Sequence, residues 1–506
     1  MSGFVAGGLL AVVQRRRDKQ TRGHPYDSVR DRERRTDHQE EFWLFWLSER
    51  MNDLQHESDY DRKQNESIVV QVKSTMASKD ASGRDHGARV LDKEPYQQHL
   101  FNDLTANAQY TYTIRGLRND DEVHDWATFC ASIFAYKPNP PPPSYFERHF
   151  YNDPEGPING PSLIRVAVDN ETKDIVASCR VFVRTISSGS FDDGCGDAVA
   201  AAVQVRAGGI GEVCTSNQHR KRGLSKILLL DCLRIMKEQL NLQVSLLHAA
   251  PVFFPVYEKS GGYKCTKSEW SSIQISYNST VEPLSSSSSS PAFRYHVRLA
   301  SFPNDTFRLQ SLHQQYSERR FAGCIIRSEE YWNTYLSKEL DNSLFVLTKT
   351  NASDDIIVAW LSIRQRGENR YQLREFGVDT SANDDDISTD LAMEYLLPHA
   401  MNELLDNQAK SLEPCTLVLP SVVLDETRRS SSESGASSSR FAVDWSTASS
   451  ENDLGWMYLP LNKEDVATAW LDSIIVNPND DSRTDKGAST TRTQNRRHLI
   501  WPADSF

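Results

Sequence analysis

Gly211-Glu212-Val213-Cys214-Thr215-Ser216-Asn217-Gln218-His219-Arg220-Lys221-Arg222-Gly223-Leu224-Ser225-Lys226 decides how the rest of this chain is read. The residues leading into it, from Ala202 to Thr215, read as a long strand, and Leu229, Leu233, Met236 and Leu240 beyond it mark one face of a helix of about four turns. Between strand and helix lies a short basic loop. The first amides of a helix are unsatisfied donors at the positive end of its dipole, so they form a seat for an anion. Gly223 lets the backbone approach a phosphate closely, Ser225 is small enough not to crowd it, and Lys221 with Arg222 add positive charge. With Arg220, Leu224 and Lys226 completing the loop and the first turn, the pattern fits a pyrophosphate. Leu242, Val244 and Leu246 mark the next strand, and a strand–helix–strand crossover of this kind implies parallel neighbours.

Upstream, Tyr110, Tyr112 and Ile114 alternate as a strand. Asn119 and Glu122 form a capping-box pattern ahead of Val123, Trp126, Ala127, Cys130, Ile133 and Phe134, which recur at helical spacing until Pro138 and the run Pro140 to Pro143. A short helix around Tyr145 to Tyr151 and two strands, Leu163 to Val168 and Ile175 to Val183, follow, with a turn at Asp169-Asn170 and a surface loop from Ser187 to Asp197. Before Tyr110, the stretch from Asp18 to Ala108 is dominated by charged and polar residues, broken by Phe42-Trp43-Leu44-Phe45-Trp46, which reads as a short docking helix. The chain therefore divides into a mostly disordered extension (1–108), a first domain (109–278), a Ser-rich linker (279–292), a second domain (293–476) and a disordered tail (477–506) that ends on the apolar group Leu499-Ile500-Trp501.

In this setting Arg220-Lys221-Arg222-Gly223-Leu224-Ser225 resembles the acetyl-CoA loop of the GCN5-related N-acetyltransferases, the GNAT family, in which Arg/Gln-x-x-Gly-x-Gly/Ala directly follows a strand. Ser225 stands where the family has its last Gly or Ala. A second motif falls in the right order: Phe254-Pro255-Val256-Tyr257-Glu258-Lys259-Ser260-Gly261-Gly262-Tyr263 resembles the Phe-Tyr-x-x-x-Gly-Phe signature near the end of these enzymes. The resemblance covers Tyr110 to Ile275 and implies an α/β (α+β) fold, a mixed central sheet flanked by helices, with acetyl-CoA as co-substrate. It also implies direct transfer, in which a neutral amine attacks the thioester and backbone amides of Val213, Cys214 and Thr215 hold the oxyanion. In many members the tyrosine of the second signature protonates the departing thiolate, which makes Tyr257 the general-acid candidate; a packing tyrosine is the other reading. Glu212 is the carboxylate nearest the reacting strand, a base acting directly or through water, or else a solvated edge carboxylate. His248, at the end of the next strand, is a rival base or a satisfied structural histidine. Cys214 has no identifiable base beside it and reads as packing.

The second half repeats the plan loosely: strands at 295–299, 344–348, 356–363, 371–378 and 416–423, and helices around 307–318, 328–336 and 390–405. With Arg319-Arg320-Phe321 and Arg327-Ser328-Glu329-Glu330-Tyr331-Trp332, it resembles the degenerate second GNAT-like domain of tandem acetyltransferases of the enhanced-intracellular-survival type and of fungal lysine N-acetyltransferases. Its equivalent loop carries Asp384-Asp385-Asp386, which would repel a pyrophosphate, so this half is expected to shape the substrate cleft without binding CoA. In some tandem members the free C-terminal carboxylate acts as base; the polar stretch before Phe506 argues against carrying that role over.

Composition narrows the function classes. The 506 residues exceed what one core of roughly 100–200 residues organises. Fifty-seven Lys+Arg against 69 Asp+Glu, a formal charge of −12, argues against a nucleic-acid binder held by phosphate contacts. An acidic second half would instead steer a cationic amine to the site, such as a lysine side chain, free lysine, a polyamine or an aminoglycoside-like amine. Mean hydropathy of −0.56 excludes a helical membrane protein, and the run Phe4 to Val13 is too short to span a bilayer and precedes its arginines, the reverse of a secretory signal. The eight cysteines form no CxxC pair, so neither a metal site nor a disulfide framework is expected, and a reducing location follows: the cytoplasm, with mitochondrion and nucleus as the alternatives. The favoured function is N-acetyl transfer to a primary amine, with oligomerisation left open. The alternative is a non-catalytic CoA-binding sensor or interaction scaffold.

Overall fold

Two mixed sheets, each opened by one parallel pair, carry the architecture. The computed structural model describes residues 97–103, 108–136, 140–190, 202–277, 294–340, 342–350, 355–367, 369–380, 387–405, 414–431, 441–462, 466–475 and 497–504, all within one compact unit, Val72–Phe506. The aromatic patch at 42–46, the linker, Asp384-Asp385-Asp386 and Phe506 lie outside the described residues.

Strands β1 (Gln97–Asp103) and β2 (Ala108–Gly116) lead into helices α1 (Asp120–Ile133) and α2 (Pro143–Tyr151). Then come β3 (Ile164–Asp169), β4 (Ile175–Ser188), β5 (Gln204–Thr215), α3 (Leu224–Glu238), β6 (Val244–His248), α4 (Phe254–Gly261), β7 (Lys264–Cys265) and β8 (Trp270–Tyr277). The capping reading of α1 holds: Asn119 Oδ1 accepts from the Glu122 amide at 3.2 Å. The Glu122 carboxylate turns back to Arg115 and Arg118; burial opposes its ionisation, but these cations hold its pKa down to about 2. Helix α1 buries Val123, Trp126, Ala127 and Cys130, and the Trp126 indole N–H donates to Ser178 Oγ of β4 at 2.8 Å. Helix α3 buries Leu224, Leu228, Leu229, Cys232, Ile235 and Met236 on the same side of the sheet as β4's Cys179 and Val181.

The second half contributes β9 (Arg294–Leu299), α5 (Thr306–His313), β10 (Ala322–Ile325), β11 (Leu344–Thr350), β12 (Asp355–Gly367), β13 (Arg370–Val378), α6 (Thr389–Leu405), β14 (Cys415–Pro420), α7 (Ser421–Ser431), β15 (Phe441–Ser450) and β16 (Trp456–Pro460). The expected strand at 416–423 stops at Pro420, where α7 begins, and the two expected early helices contain π-helical turns, Gln314–Glu318 and Tyr331–Leu336.

The Ser-rich linker does not divide the sheets. The first sheet runs β1-β2-β3-β4-β5-β6-β16-β7, so a strand from the far end of the chain is inserted beside β6; β10 also pairs with β4. The second runs β15-β8-β14-β13-β12-β11-β9 and takes β8 from before the linker. Both exchanges join residues more than a hundred positions apart, which local pattern cannot specify.

The tail also departs from expectation at 497–504. Leu499, Ile500, Trp501 and Asp504 are buried, and Trp501 Nε1 donates to Ser317 Oγ at 3.0 Å. Arg327, fully buried, clamps Asp504 at 2.6 Å and Glu375 of β13 at 2.6 Å. Removing one member of a buried ion group strands the others, so Arg327→Ala is expected to destabilise the chain by about 3–5 kcal/mol, measured by urea unfolding at neutral pH. A loss below about 1 kcal/mol would show that the clamp is not structural.

Candidate active site

Strands β5 and β6 pair in parallel from Ala207↔Val244 to Ile210↔Leu247 and then separate. Among the described residues no strand pairs with β5 on that side beyond Ile210, while its other edge continues along β4 to Thr215↔Ala177. The ladder with β4 shifts register between Ser178 and Arg180, opposite Glu212, whose φ is +54°, a left-handed conformation that non-glycine residues rarely adopt. From Gly211 to Thr215 the β6-side edge of β5 has no strand against it among the described residues, so amides on that edge can serve as oxyanion donors.

The basic loop sits at the end of the same strand. Lys221 (φ +62°) and Gly223 (φ +71°) take left-handed conformations, and α3 starts with no side chain capping it, so its first amides point outward as free donors. A Cβ built on Gly223 would meet nothing within 4 Å, which leaves the seat open. Ser225, the departure from the family pattern, bonds Thr215 Oγ1 at 2.9 Å, so its hydroxyl has a partner outside the seat. Arg222 bonds the Tyr112 hydroxyl, lies 3.5 Å from the Tyr110 ring centroid and is 3.1 Å from His219 Nδ1. Burial and the Arg222 charge lower the His219 pKa, so the imidazole accepts from the guanidinium. These residues fit a pyrophosphate.

Glu212 is 6% exposed at its side chain and lies 3.5 Å from Arg180 Nη1; its second oxygen, Oε2, has no hydrogen-bond partner. Burial raises its pKa to about 7, against the pull of Arg180. Of the two sequence readings, a solvated edge carboxylate is therefore excluded. Arg180 also reaches the His149 carbonyl at 3.1 Å and Asp153 at 3.6 Å, and Asp153 in turn holds Arg184 at 2.9 Å. Arg180 and Arg184 interrupt the apolar run of β4 four positions apart, a signal in the sequence that buried arginines there needed a carboxylate partner.

Tyr257 lies on α4 in the first core, 6.1 Å from the Tyr263 ring in an edge-on contact. Burial raises its pKa, which keeps the hydroxyl protonated and able to donate. His248 is half exposed and is bonded to Asp453 at 3.1 Å, with its ring edge-on to Trp456 at 5.0 Å. That partnership favours the structural reading of His248 over the base. Cys214 is buried with its Sγ 3.8 Å from Cys130, as a packing residue would be. On β12 and β13, Arg364 and Arg366 share the Gln372 side-chain oxygen, and Arg374 bonds Glu339.

A family model described as an acetyltransferase (GNAT) domain matches residues 198–265, which span β5, the basic loop, α3, β6 and α4. Over residues 198–265 the chain is similar to a GNAT acetyltransferase domain. No curated protein matches it by sequence. Among solved structures, a GCN5-related N-acetyltransferase from Anabaena variabilis is similar with a TM-score of 0.44 and 14% identity, over 69% of this chain and 73% of that one. Eis1 from Mycobacterium abscessus gives 0.39 and 12%, over 69% and 74%. Saccharomyces cerevisiae N-myristoyltransferase with bound myristoyl-CoA gives 0.39 and 13%, over 72% and 86%. Among the described residues no helix is long and apolar enough to cross a membrane.

Proposed function

We propose that the chain is an acetyl-CoA-dependent N-acetyltransferase acting on a primary amine, with transfer at the cleft between β5 and β6. The observation that carries this reading is the combination on one strand of unpaired backbone, a buried carboxylate of pKa about 7 and an open anion seat. The amides of Gly223 to Lys226 and the charge of Lys221 hold the pyrophosphate. Acetyl-CoA supplies the activated acyl thioester. Glu212, directly or through a water, takes the proton from the attacking amine as its nitrogen–carbon bond forms; the amides of Val213 to Thr215 hold the oxyanion; and Tyr257 gives its proton to the sulfur as the carbon–sulfur bond breaks. The products are an amide and a free thiol.

Tyr257→Phe removes only the donating oxygen, so kcat is expected to fall by about a hundredfold with the acetyl-CoA KM little changed. Thiol release against a fixed amine reads this directly. An unchanged kcat would make Tyr257 a packing residue.

A further inference from the structure

Three guanidinium groups of the second half, Arg364, Arg366 and Arg374, are gathered around two acceptors, Gln372 and Glu339. Arg364 of β12 lies opposite Gln372 of β13, and three N–H groups converge on the single Gln372 Oε1: Arg364 Nε at 3.2 Å, Arg364 Nη2 at 3.0 Å and Arg366 Nε at 2.7 Å. That oxygen is neutral and has two lone pairs. Arg374, on the same strand as Gln372, bonds Glu339, but its buried Nε has no acceptor. Glu339 also bonds Arg148 at 3.1 Å, so one carboxylate answers for two guanidiniums. Like charges held together in partial burial are unfavourable unless an anion joins them. Burial and the two neighbouring guanidiniums lower the Arg364 pKa to about 9.

These groups lie next to the reaction cleft. Tyr145 of α2 lies against His149 with the rings tilted at 42° and their centroids 4.1 Å apart, and the His149 carbonyl accepts from Arg180, the partner of Glu212. Besides burial, both Glu339 and Glu212 raise the Tyr145 pKa while Arg148 and Arg364 lower it, so this hydroxyl is within electrostatic reach of the proposed base on one side and of Arg364 on the other. Arg366 feels the charge of Asp453, the residue bonded to His248 at the end of β6. Arg374 is thus linked through Glu339 to the α2 residues that hold Arg180, and Arg364 and Arg366 lie beside it on the same pair of strands.

We propose that Arg364, Arg366 and Arg374 form a seat for an anionic group on the acceptor, so that the substrate is a small amine that also carries a carboxylate and not a polyamine. This rests on the acetyltransferase reading. A planar carboxylate matches paired guanidinium forks, replacing Gln372 Oε1 as the common acceptor and relieving the repulsion among them. The seat would hold the acceptor by its anion and leave its amine free to reach Glu212.

The test has two arms on the full-length chain, with Arg364→Gln/Arg366→Gln as the variant and CoA affinity as its fold control. In the first, malonate and inorganic phosphate are titrated calorimetrically at low ionic strength. Malonate is expected to bind the wild type and to lose about tenfold or more of its affinity in the variant. No binding, or equal binding to both proteins, overturns the seat, and phosphate binding more tightly than malonate overturns the choice of a carboxylate. In the second arm, thiol release is compared for lysine and cadaverine, which is lysine without its carboxylate. The expected kcat/KM is about tenfold or more in favour of lysine, and the variant loses that preference. Equal rates with cadaverine overturn the proposal even if acetyl transfer stands. Arginine-dependent malonate binding with no thiol release from any amine would keep the seat and sink the acetyltransferase reading.

Discussion

Glu212→Gln is expected to lower kcat for amine acetylation by about a hundredfold to ten-thousandfold while leaving CoA affinity in place. The carboxylate is buried beside the unpaired edge of β5 and one of its oxygens has no partner, so the substitution removes a proton acceptor with little change in shape. The pH profile carries the more specific expectation. A base works in its ionised form; with a pKa raised by burial to about 7, kcat in the wild type should climb as pH rises through 7 and level off above it. In the glutamine variant that limb should vanish. The same shift bears on stability with a definite sign. A carboxyl whose folded pKa is about 7 against an ordinary 4.5 favours the native state in its protonated form, so its contribution is complete below pH 4.5 and is lost as pH rises through 7. Glu212→Gln should therefore gain thermal stability relative to the wild type as pH increases from 5 to 8, in the window set by those two values. A variant that keeps both the rate and the limb near pH 7 would remove Glu212 from the chemistry.

Gly223→Glu should abolish CoA binding and leave the chain folded. The residue has φ +71° and open space where a Cβ would go, so a side chain adds about 1–2 kcal/mol of backbone strain without a clash. What it does add is bulk and negative charge at the amides that would hold the pyrophosphate, and two negative groups at about 4 Å repel strongly in a partly desolvated site. Gly223→Asn is the matched control. Asparagine tolerates the left-handed conformation and carries no charge, so it should retain most CoA affinity. Calorimetric titration with CoA, alongside thermal unfolding of each variant, separates the two effects. CoA affinity retained in the glutamate variant would refute the loop assignment.

The local elements of the first half were legible because each is written in a short window. Asn119 and Glu122 announce α1, the prolines after Phe134 end it, and the strand–basic loop–helix order of 202–238 places the anion seat. The pairing of strands was not legible in the same way. Ile273 and Ile275 of β8 alternate as well for one sheet as for the other, and only contacts with Cys415 to Pro420 decide between them. Trp456-Met457-Tyr458 gives no sign in sequence that it will slot beside β6. The site shows the same divide. The loop residues and Tyr257 follow from motif order, but the environment of Glu212 depends on Arg180, Asp153 and His149, brought together by α2 and β4. Net charge is silent on local grouping for a related reason: in a chain with an overall excess of acid, β12 and β13 still gather Arg364, Arg366 and Arg374 around Gln372 and Glu339.

The measurement that tests the central claim most directly is thiol release from acetyl-CoA by the full-length chain, with and without a panel of lysine, cadaverine, polyamines, aminoglycosides and basic peptides. Amine-dependent release that falls in both Glu212→Gln and Tyr257→Phe is the predicted result. Bound CoA with no amine-dependent release from any member of the panel would contradict it and leave a CoA-binding protein without transfer activity.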